Sequence, residues 1–156
     1  MCRNPKPGVS VVAYEKQTGK ILLCKRHATS SFGDMWCLPC GYIDLGETHY
    51  QAIVREVKEE SGFDIALEAI LNVYSNRFSG PGQTVVILFK AVIVGGAFVE
   101  NNEVSEIKFI QPHEYINYQM AFEADKKILE ELATNIANVR GQLNLNGSEP
   151  KWGFLC

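Results

Sequence analysis

Apolar and polar positions follow two different periodicities along this chain of 156 residues. Apolar runs at 9–14, 21–24, 65–74 and 84–94 are short and separated by Gly, Pro and polar residues, a pattern that predicts strands. The run at 84–94 is almost continuously apolar, which predicts a central strand. By contrast, apolar residues recur at helical spacing through 122–139. The pattern therefore predicts several strands and a long helix near the end.

The first two strands are predicted to form a β-hairpin. Pro7 and Gly8 precede the run 9–14, and the polar segment 17–19 turns the chain into the run 21–24. Lys25 and Arg26 end the second strand, where they either face solvent or contact phosphate groups of a ligand. Residues 27–35 are small and polar, so we expect a loop.

The second half of the chain continues this alternation. Residues 103–110 alternate like a half-buried strand, and Pro112 opens a short helical segment. The helix at 122–139 is predicted to close over the sheet. We expect one domain over residues 1–140 and a C-terminal tail over 141–156, whose apolar end docks on this chain or on a partner.

The segment 41–63 concentrates charge in a way that packing alone does not explain. Glu56, Glu59 and Glu60 lie at positions i, i+3 and i+4, so a helix would place them on one face within about a 100° arc. Like charges at this spacing destabilise an isolated helix. Hard divalent cations prefer carboxylate oxygens, which predicts a metal site here. The alternative is an ordinary surface helix with a solvated acidic face.

The same segment carries the signals of a helix. Thr48 is a predicted N-cap, and Ser61 with Gly62 is a predicted C-terminal stop. An apolar stripe is predicted beside the acidic face, so that one side of the helix packs while the other faces a cleft. Its predicted members are Tyr50, Ile53, Val54 and Val57.

The spacing of these residues resembles the Nudix box. Gly41 is followed after five residues by Glu47, and after seven more by the continuous run from Arg55 to Phe63. The resemblance to Nudix hydrolases implies an α/β/α sandwich with a mixed sheet. It also implies hydrolysis of a nucleoside diphosphate linked to another moiety, with Mg²⁺ or Mn²⁺ bound at the box helix.

The resemblance assigns roles residue by residue. It implies that Glu59 or Glu103 acts as the general base, with Glu106 as a second candidate for the carboxylate beyond the central sheet, and that Arg55 orients the glutamates. Where the family has a Pro-Gly-Gly-like turn, this chain has Pro39-Cys40-Gly41. The implied metal site contains Glu56, Glu59, Glu60, Glu47 and a backbone carbonyl of Cys40 or Gly41.

Substrate contacts are expected outside the box. The loop 75–82 places the cation Arg77 beside the aromatic Phe78, which could hold a phosphate and stack a base, or could simply be exposed. Arg26 and Trp36 complete the candidates. Among Nudix substrates, ADP-ribose or a nucleotide sugar fits better than NADH, because the signature that follows the box in NADH pyrophosphatases is absent. A catalytically silent nucleotide-sensing Nudix module is the alternative.

Composition and charge restrict the possible partners. A net charge of −3 argues against general nucleic-acid binding, which requires a basic surface. No apolar run reaches the ~20 residues that a membrane helix needs. Five cysteines do not form an even disulfide framework, so we expect a reducing cytoplasm. Cys37 and Cys40 form a C-x-x-C pair, either a zinc or redox motif or two incidental thiols. A homodimer is a further expectation, since many Nudix enzymes are dimers.

Overall fold

The protein is a mixed β-sheet with one α-helix against each face. The computed structural model describes residues 4–77 and 82–138. The strands are β1 (Lys6–Tyr14), β2 (Ile21–Arg26), β3 (Trp36–Cys37), β4 (Cys40–Tyr42), β5 (Phe63–Arg77), β6 (Gln83–Gly96) and β7 (Val104–Ile110). The helices are α1 (His49–Ser61), a 3₁₀ helix (Pro112–Asn117) and α2 (Glu123–Asn138).

The strand order explains why the predicted central strand is so apolar. The main path of the sheet runs β3-β2-β1-β6-β5, with β4 paired to β1 and β7 paired to β2. β1 and β6 are parallel, whereas the other paired strands are antiparallel. β6 therefore lies between β1 and β5 in the interior of the sheet. The predicted hairpin of β1 and β2 is confirmed, with Tyr14 opposite Ile21.

Two cores lie on opposite faces of the sheet, and this confirms the predicted α/β sandwich. The core beneath α1 includes Ile53, Val57 and Phe89, which are completely buried. The core beneath α2 includes Leu23, Leu38 and Leu129. At roughly 25 cal/mol per Å² of apolar surface, each fully buried Leu or Ile contributes about 2 kcal/mol before entropy is counted. Neither helix in the described residues is long and apolar enough to cross a membrane.

Several boundaries differ from the predictions. β5 and β6 extend further than expected, so residues 75–77 belong to a strand rather than to the predicted loop 75–82. Cross-strand hydrogen bonds between β5 and β6 hold these residues, with Arg77 opposite Gln83. The tip of the loop, including Phe78, and the tail from residue 139 onwards lie outside the described residues.

Candidate active site

The helix α1 begins and ends where its sequence signals predict. The Thr48 hydroxyl accepts a hydrogen bond from the backbone N–H of Gln51 at 3.2 Å, and the Gln51 side chain accepts one from the Thr48 N–H at 2.9 Å. This reciprocal capping box satisfies two donors that a helix start otherwise leaves unpaired. At the other end, Gly62 adopts a left-handed conformation with φ of 74°, which favours glycine.

The helix is rotated further toward its acidic residues than the sequence indicated. Tyr50 and Val54, predicted to lie in the packed stripe, are 50% and 42% exposed, so this part of the prediction was wrong. The buried face contains Ala52, Ile53, Glu56, Val57, Glu60 and Ser61. Two of the three clustered carboxylates therefore point under the sheet edge rather than into solvent.

The strand β4, just before α1, is fitted closely around these two carboxylates. The backbone N–H of Cys40 donates a hydrogen bond to Glu60 Oε2 at 3.1 Å. A Cβ atom on Gly41 would collide with the carboxyl group of Glu56. The backbone of Gly41 therefore lies directly against this side chain, and a larger residue here would displace the Glu56 carboxyl group.

Arg55 joins the remaining acids of the box. Its Nε and Nη2 atoms bind the two oxygens of Glu47 at 2.8 and 2.9 Å, a bidentate arrangement. Its Nη1 atom donates to Glu56 Oε1 at 2.9 Å and to Glu59 Oε2 at 3.0 Å. Nη2 also donates to the Tyr42 carbonyl at 3.0 Å. The structure thus brings the guanidinium group of Arg55 against three of the four predicted acidic metal ligands.

The electrostatics of the cluster follow from burial and from this arginine. Burial raises the pKa of Glu60 well above its usual range, and the nearby Glu56 and Glu103 add to the effect. Burial also raises the pKa of Glu56, against the opposing effect of Arg55. The hydrogen bonds from Arg55 lower the pKa of Glu47. Without a bound cation, the site therefore has two carboxylates whose negative charge is poorly stabilised.

The donors fit a hard divalent cation in chemistry, although they are not arranged around one. Among residues 4–77 and 82–138, no three His, Cys, Asp or Glu side chains form a ready metal site. The hydrogen bonds explain this, because Arg55 engages Glu56 and Glu59 while Glu60 is turned to Cys40. Mg²⁺ and Mn²⁺ prefer carboxylate oxygens as ligands, and a bound cation would compensate the negative charges of the buried Glu56 and Glu60 carboxylates.

The structure separates the two candidates for an additional carboxylate. Glu106 lies near two lysines, with Oε2 3.8 Å from Lys25 Nζ and Oε1 3.6 Å from Lys108 Nζ. The side chain of Glu103 is exposed, and its charge acts on both Glu56 and Glu60. Of the two, Glu103 is therefore the one whose negative charge acts on Glu56 and Glu60.

Of the substrate-contact candidates, Arg26 and Trp36 have described side chains, and both contact other parts of the protein. Arg26 Nε donates to the Ser31 carbonyl at 2.7 Å, and the guanidinium lies over the ring of Phe122 with the centroid 5.6 Å away. Trp36 is only 8% exposed and packs edge-on against Tyr118 in the α2 core, which leaves little of its ring for a ligand. Phe78 lies outside the described residues, and for Arg77 only the backbone is described.

The C-x-x-C pair consists of a buried thiol at Cys37 and a half-buried thiol at Cys40. Cys24, Cys37 and Cys40 are all free. A hydrogen bond with Cys37, followed by burial, raises the pKa of Cys40 well above its usual range, and the pKa of Cys37 is raised as well. Because the thiolate is the form that binds metal and reacts, such thiols are poor zinc ligands and poor nucleophiles. This supports the interpretation of Cys37 and Cys40 as incidental.

Two polar residues near the site were missed by sequence analysis. Asp125 is only 3% exposed, and its carboxylate accepts a hydrogen bond from the Leu38 N–H at 2.9 Å. Asn101 contacts the end of α1 and the start of β7. A signal existed for Asp125, because it lies at i+3 from Phe122 within the apolar stripe of α2. For Asn101 the only signal was its residue type, which often forms local turns.

Comparisons with known proteins identify the family. The family model for the NUDIX domain matches residues 4–132. An ADP-ribose pyrophosphatase of Methanocaldococcus jannaschii is 35% identical over 104 residues, which cover 66% of this chain and 61% of the relative. A CTP pyrophosphohydrolase of Escherichia coli is 33% identical over 70 residues, 45% of this chain and 52% of the relative. The chain thus spans about half to three fifths of these relatives.

Solved structures show the same fold. The crystal structure of a NUDIX hydrolase from Nitrosomonas europaea superimposes with a TM-score of 0.73 and 26% identity, over 91% of this chain and 76% of that one. The family model covers the sheet, α1 and most of α2. With an intact box on a capped helix, this chain belongs to the Nudix family.

Proposed function

We propose that this protein hydrolyses the pyrophosphate bond of a nucleoside diphosphate linked to another moiety, with the help of a divalent cation. The observation that carries the proposal is the pair of buried carboxylates, Glu56 and Glu60, under the backbone of β4. Burying two like charges side by side costs stability in the absence of a cation. A bound cation would offset this cost, which gives a reason for two buried carboxylates at this place.

The residues that would hold the cation are Glu56, Glu59, Glu60 and a backbone carbonyl of Cys40 or Gly41. The chemistry that a bound cation supplies is positive charge beside the pyrophosphate and a lower pKa for an attacking water. Glu47 would act from the loop by fixing Arg55, since both of its oxygens are bound to that side chain.

The protein's own residues supply positioning and proton transfer. Arg55 would hold Glu56 and Glu59 in place rather than contact substrate, because its donors already face protein acceptors. The proton acceptor is Glu59 or Glu103. Both side chains are exposed, which leaves them accessible to a water molecule. Glu59 accepts one hydrogen bond from Arg55, whereas Glu103 lies on the separate loop before β7.

For the substrate, we propose ADP-ribose or a nucleotide sugar. The archaeal relative is named an ADP-ribose pyrophosphatase, which supports this class. The bacterial relative is named for CTP, so the panel of compounds to test must also include nucleoside triphosphates. Arg26, beside the ring of Phe122, remains the described candidate for contact with a ligand phosphate.

We further propose that the protein acts in the cytoplasm. The three described cysteines are free, which fits a reducing compartment. Homodimer formation stays a prediction, to be tested by the mass of the protein in solution.

The test is release of phosphate-bearing fragments from ADP-ribose, NADH, sugar nucleotides, diadenosine polyphosphates and nucleoside triphosphates. Each compound is incubated with Mg²⁺, with Mn²⁺ and with a chelator. We expect cleavage of ADP-ribose or a sugar nucleotide that requires the cation. Glu59→Gln should lower this turnover by orders of magnitude, whereas Glu123→Gln, an exposed acid of α2, should leave it unchanged.

The alternative function is a catalytically silent module that senses a nucleotide. The absence of a ready metal site among the described residues is the observation in its favour. Binding of ADP-ribose, without cleavage of any compound of the panel under any cation condition, would establish that function and refute ours. Cleavage that persists fully in the chelator would instead refute the role of the cation.

A further inference from the structure

The side chain of Asn101 connects two elements that are far apart in sequence. It lies in the segment between β6 and β7 and is half-buried. Its Nδ2 atom lies 3.1 Å from both the Glu59 carbonyl and the Glu60 carbonyl at the end of α1. Its Oδ1 atom accepts hydrogen bonds from the N–H groups of Glu103 and Val104, both at 2.9 Å. One carboxamide therefore bridges the acidic helix and the strand that follows Glu103.

Regular secondary structure leaves these backbone groups without a hydrogen-bond partner. The last four carbonyls of a helix have no intrahelical donor, and Glu59 and Glu60 supply two of them. Glu103 precedes β7, so no strand ladder holds its N–H group. Asn101 satisfies both needs at once, because an amide has donors at one atom and an acceptor at the other.

The backbone of Glu103 is consequently fixed on both sides. Its N–H group donates to Asn101, and its carbonyl accepts a hydrogen bond from the His27 N–H at 2.7 Å. Asn101 also closes a turn, since its own N–H donates to the Val104 carbonyl at 3.1 Å. The exposed carboxylate of Glu103 therefore extends from a rigid position, although it lies outside regular secondary structure.

Through this bridge the backbone of Glu103 is tied to the end of α1 that carries Glu59 and Glu60. The negative charge of Glu103 contributes to raising the pKa of both Glu56 and Glu60. Glu106, three residues further along, lies instead within 4 Å of two lysines. The distance between the Glu103 backbone and α1, which the Asn101 bridge fixes, therefore affects how much negative charge a cation at the cluster meets.

We propose that Asn101 is a positioning residue for the reaction, holding Glu103 at a fixed distance from the carboxylates of α1. The inference rests on the proposed function, in which those carboxylates bind a divalent cation. Asn101 itself does not contact the cation or the substrate. It acts through Glu103, in the way that residues behind metal ligands commonly set affinity by a factor of about 10 to 100.

Only a carboxamide of this length serves both sides of the bridge. Aspartate would keep the acceptor for Glu103 and Val104 but would lose the donor to the helix carbonyls. It would also place a negative charge at the negative end of the helix dipole. Alanine would lose every contact. Asn102 offers a matched control, because it is exposed and makes no side-chain hydrogen bond to the described residues.

The test is a double-mutant cycle that measures Mn²⁺ affinity of the full chain by electron paramagnetic resonance. We expect Asn101→Ala to weaken Mn²⁺ binding about tenfold. In the Glu103→Gln background the same change should weaken binding less than about twofold, because the carboxylate it positions is gone. Asn102→Ala should leave the affinity unchanged. Asn101→Asp, which loses the link to α1, should weaken Mn²⁺ binding about as much as Asn101→Ala.

Two outcomes would overturn the proposal in different ways. If Asn101→Ala lowers only the melting temperature, or weakens Mn²⁺ binding by the same factor in both backgrounds, its role is structural. That result refutes the positioning role while the proposed function stands. If the unmodified protein neither binds Mn²⁺ nor cleaves any compound of the panel, both proposals fail together.

Discussion

Asp125 is a buried acid whose ionisation should destabilise the folded protein. It is only 3% exposed, and burial raises its pKa to about 7 from the usual 3.8, despite the hydrogen bond from the Leu38 N–H and the charge of Arg26. The folded state therefore binds this proton more tightly than the unfolded state does. Stability falls as the pH rises from about 4 to about 7 and then stays constant.

The size of this effect follows from the two pKa values. Each pKa unit corresponds to about 1.4 kcal/mol, so the difference between 3.8 and about 7 amounts to about 4 kcal/mol at pH 8. Asp125→Asn removes the charge and keeps an oxygen to accept the hydrogen bond from Leu38. The variant should match the original protein near pH 4 and exceed its free energy of unfolding by about 4 kcal/mol at pH 8. That is roughly 10 °C in melting temperature for a chain of this length.

Urea unfolding followed by circular dichroism, at half-unit steps of pH with chelator present, would measure this difference. The chelator matters because a bound cation would stabilise the folded state separately. Comparing the two proteins at each pH cancels the contributions of Glu56 and Glu60, which both retain. Glu123→Gln, on the exposed surface of the same helix, serves as the control; it loses a surface ion pair with Lys126, so its difference should stay within about 1 kcal/mol at every pH. A difference that does not change with pH, or one that favours the original protein at pH 8, would refute the reasoning.

Three further variants test the cluster itself. Glu60→Gln keeps an acceptor for the Cys40 N–H, so at pH 8 with chelator we expect a higher melting temperature. With the cation present, we expect its turnover to be at least about a hundredfold lower. A lower melting temperature would show that the folded protein accommodates the Glu60 charge well. Gly41→Ala forces the Glu56 carboxyl to move, and we expect turnover to fall about a hundredfold with the protein still folded, as judged by circular dichroism. Arg55→Lys loses the bidentate contact, and kinetics should show about a tenfold drop in turnover; equal activity would mean that a single positive charge suffices.

The fold was predictable from sequence to the extent that local patterns specify it. The capping residues of α1 and the apolar run of β6 acted through their own chemistry, and both elements formed where predicted. The rotation of α1 was not predictable in this way. Val54 is exposed although it is as apolar as the buried Val57, and the buried face instead includes Glu56 and Glu60, which meet β4. That information is tertiary and has no local pattern.

The site was predictable where the family pattern fixes it, and its supporting residues were not. The box predicted the glutamates and Arg55 as site residues, and the structure brings Arg55 against Glu47, Glu56 and Glu59. Asn101 lies 41 positions along the chain from Glu60, and nothing in the sequence between them indicates contact. Such residues act by hydrogen bonds to backbone groups, which any sequence can supply, so their identity leaves little trace.

The turn before the box shows how the fold and the site depend on each other. The Leu38 N–H donates to Asp125 of α2, on one face of the sheet, and the Cys40 N–H donates to Glu60 of α1, on the other face. Pro39 lies between them and has no N–H to donate. Two buried carboxylates from opposite helices therefore hold this three-residue turn, and its backbone in turn lies against Glu56. Because both carboxylates have raised pKa values, the turn is held by groups that each lower stability when ionised alone. A cation at the cluster would relieve this cost for Glu60 but not for Asp125. Cation binding should therefore leave unchanged the pH dependence of stability that Asp125 causes.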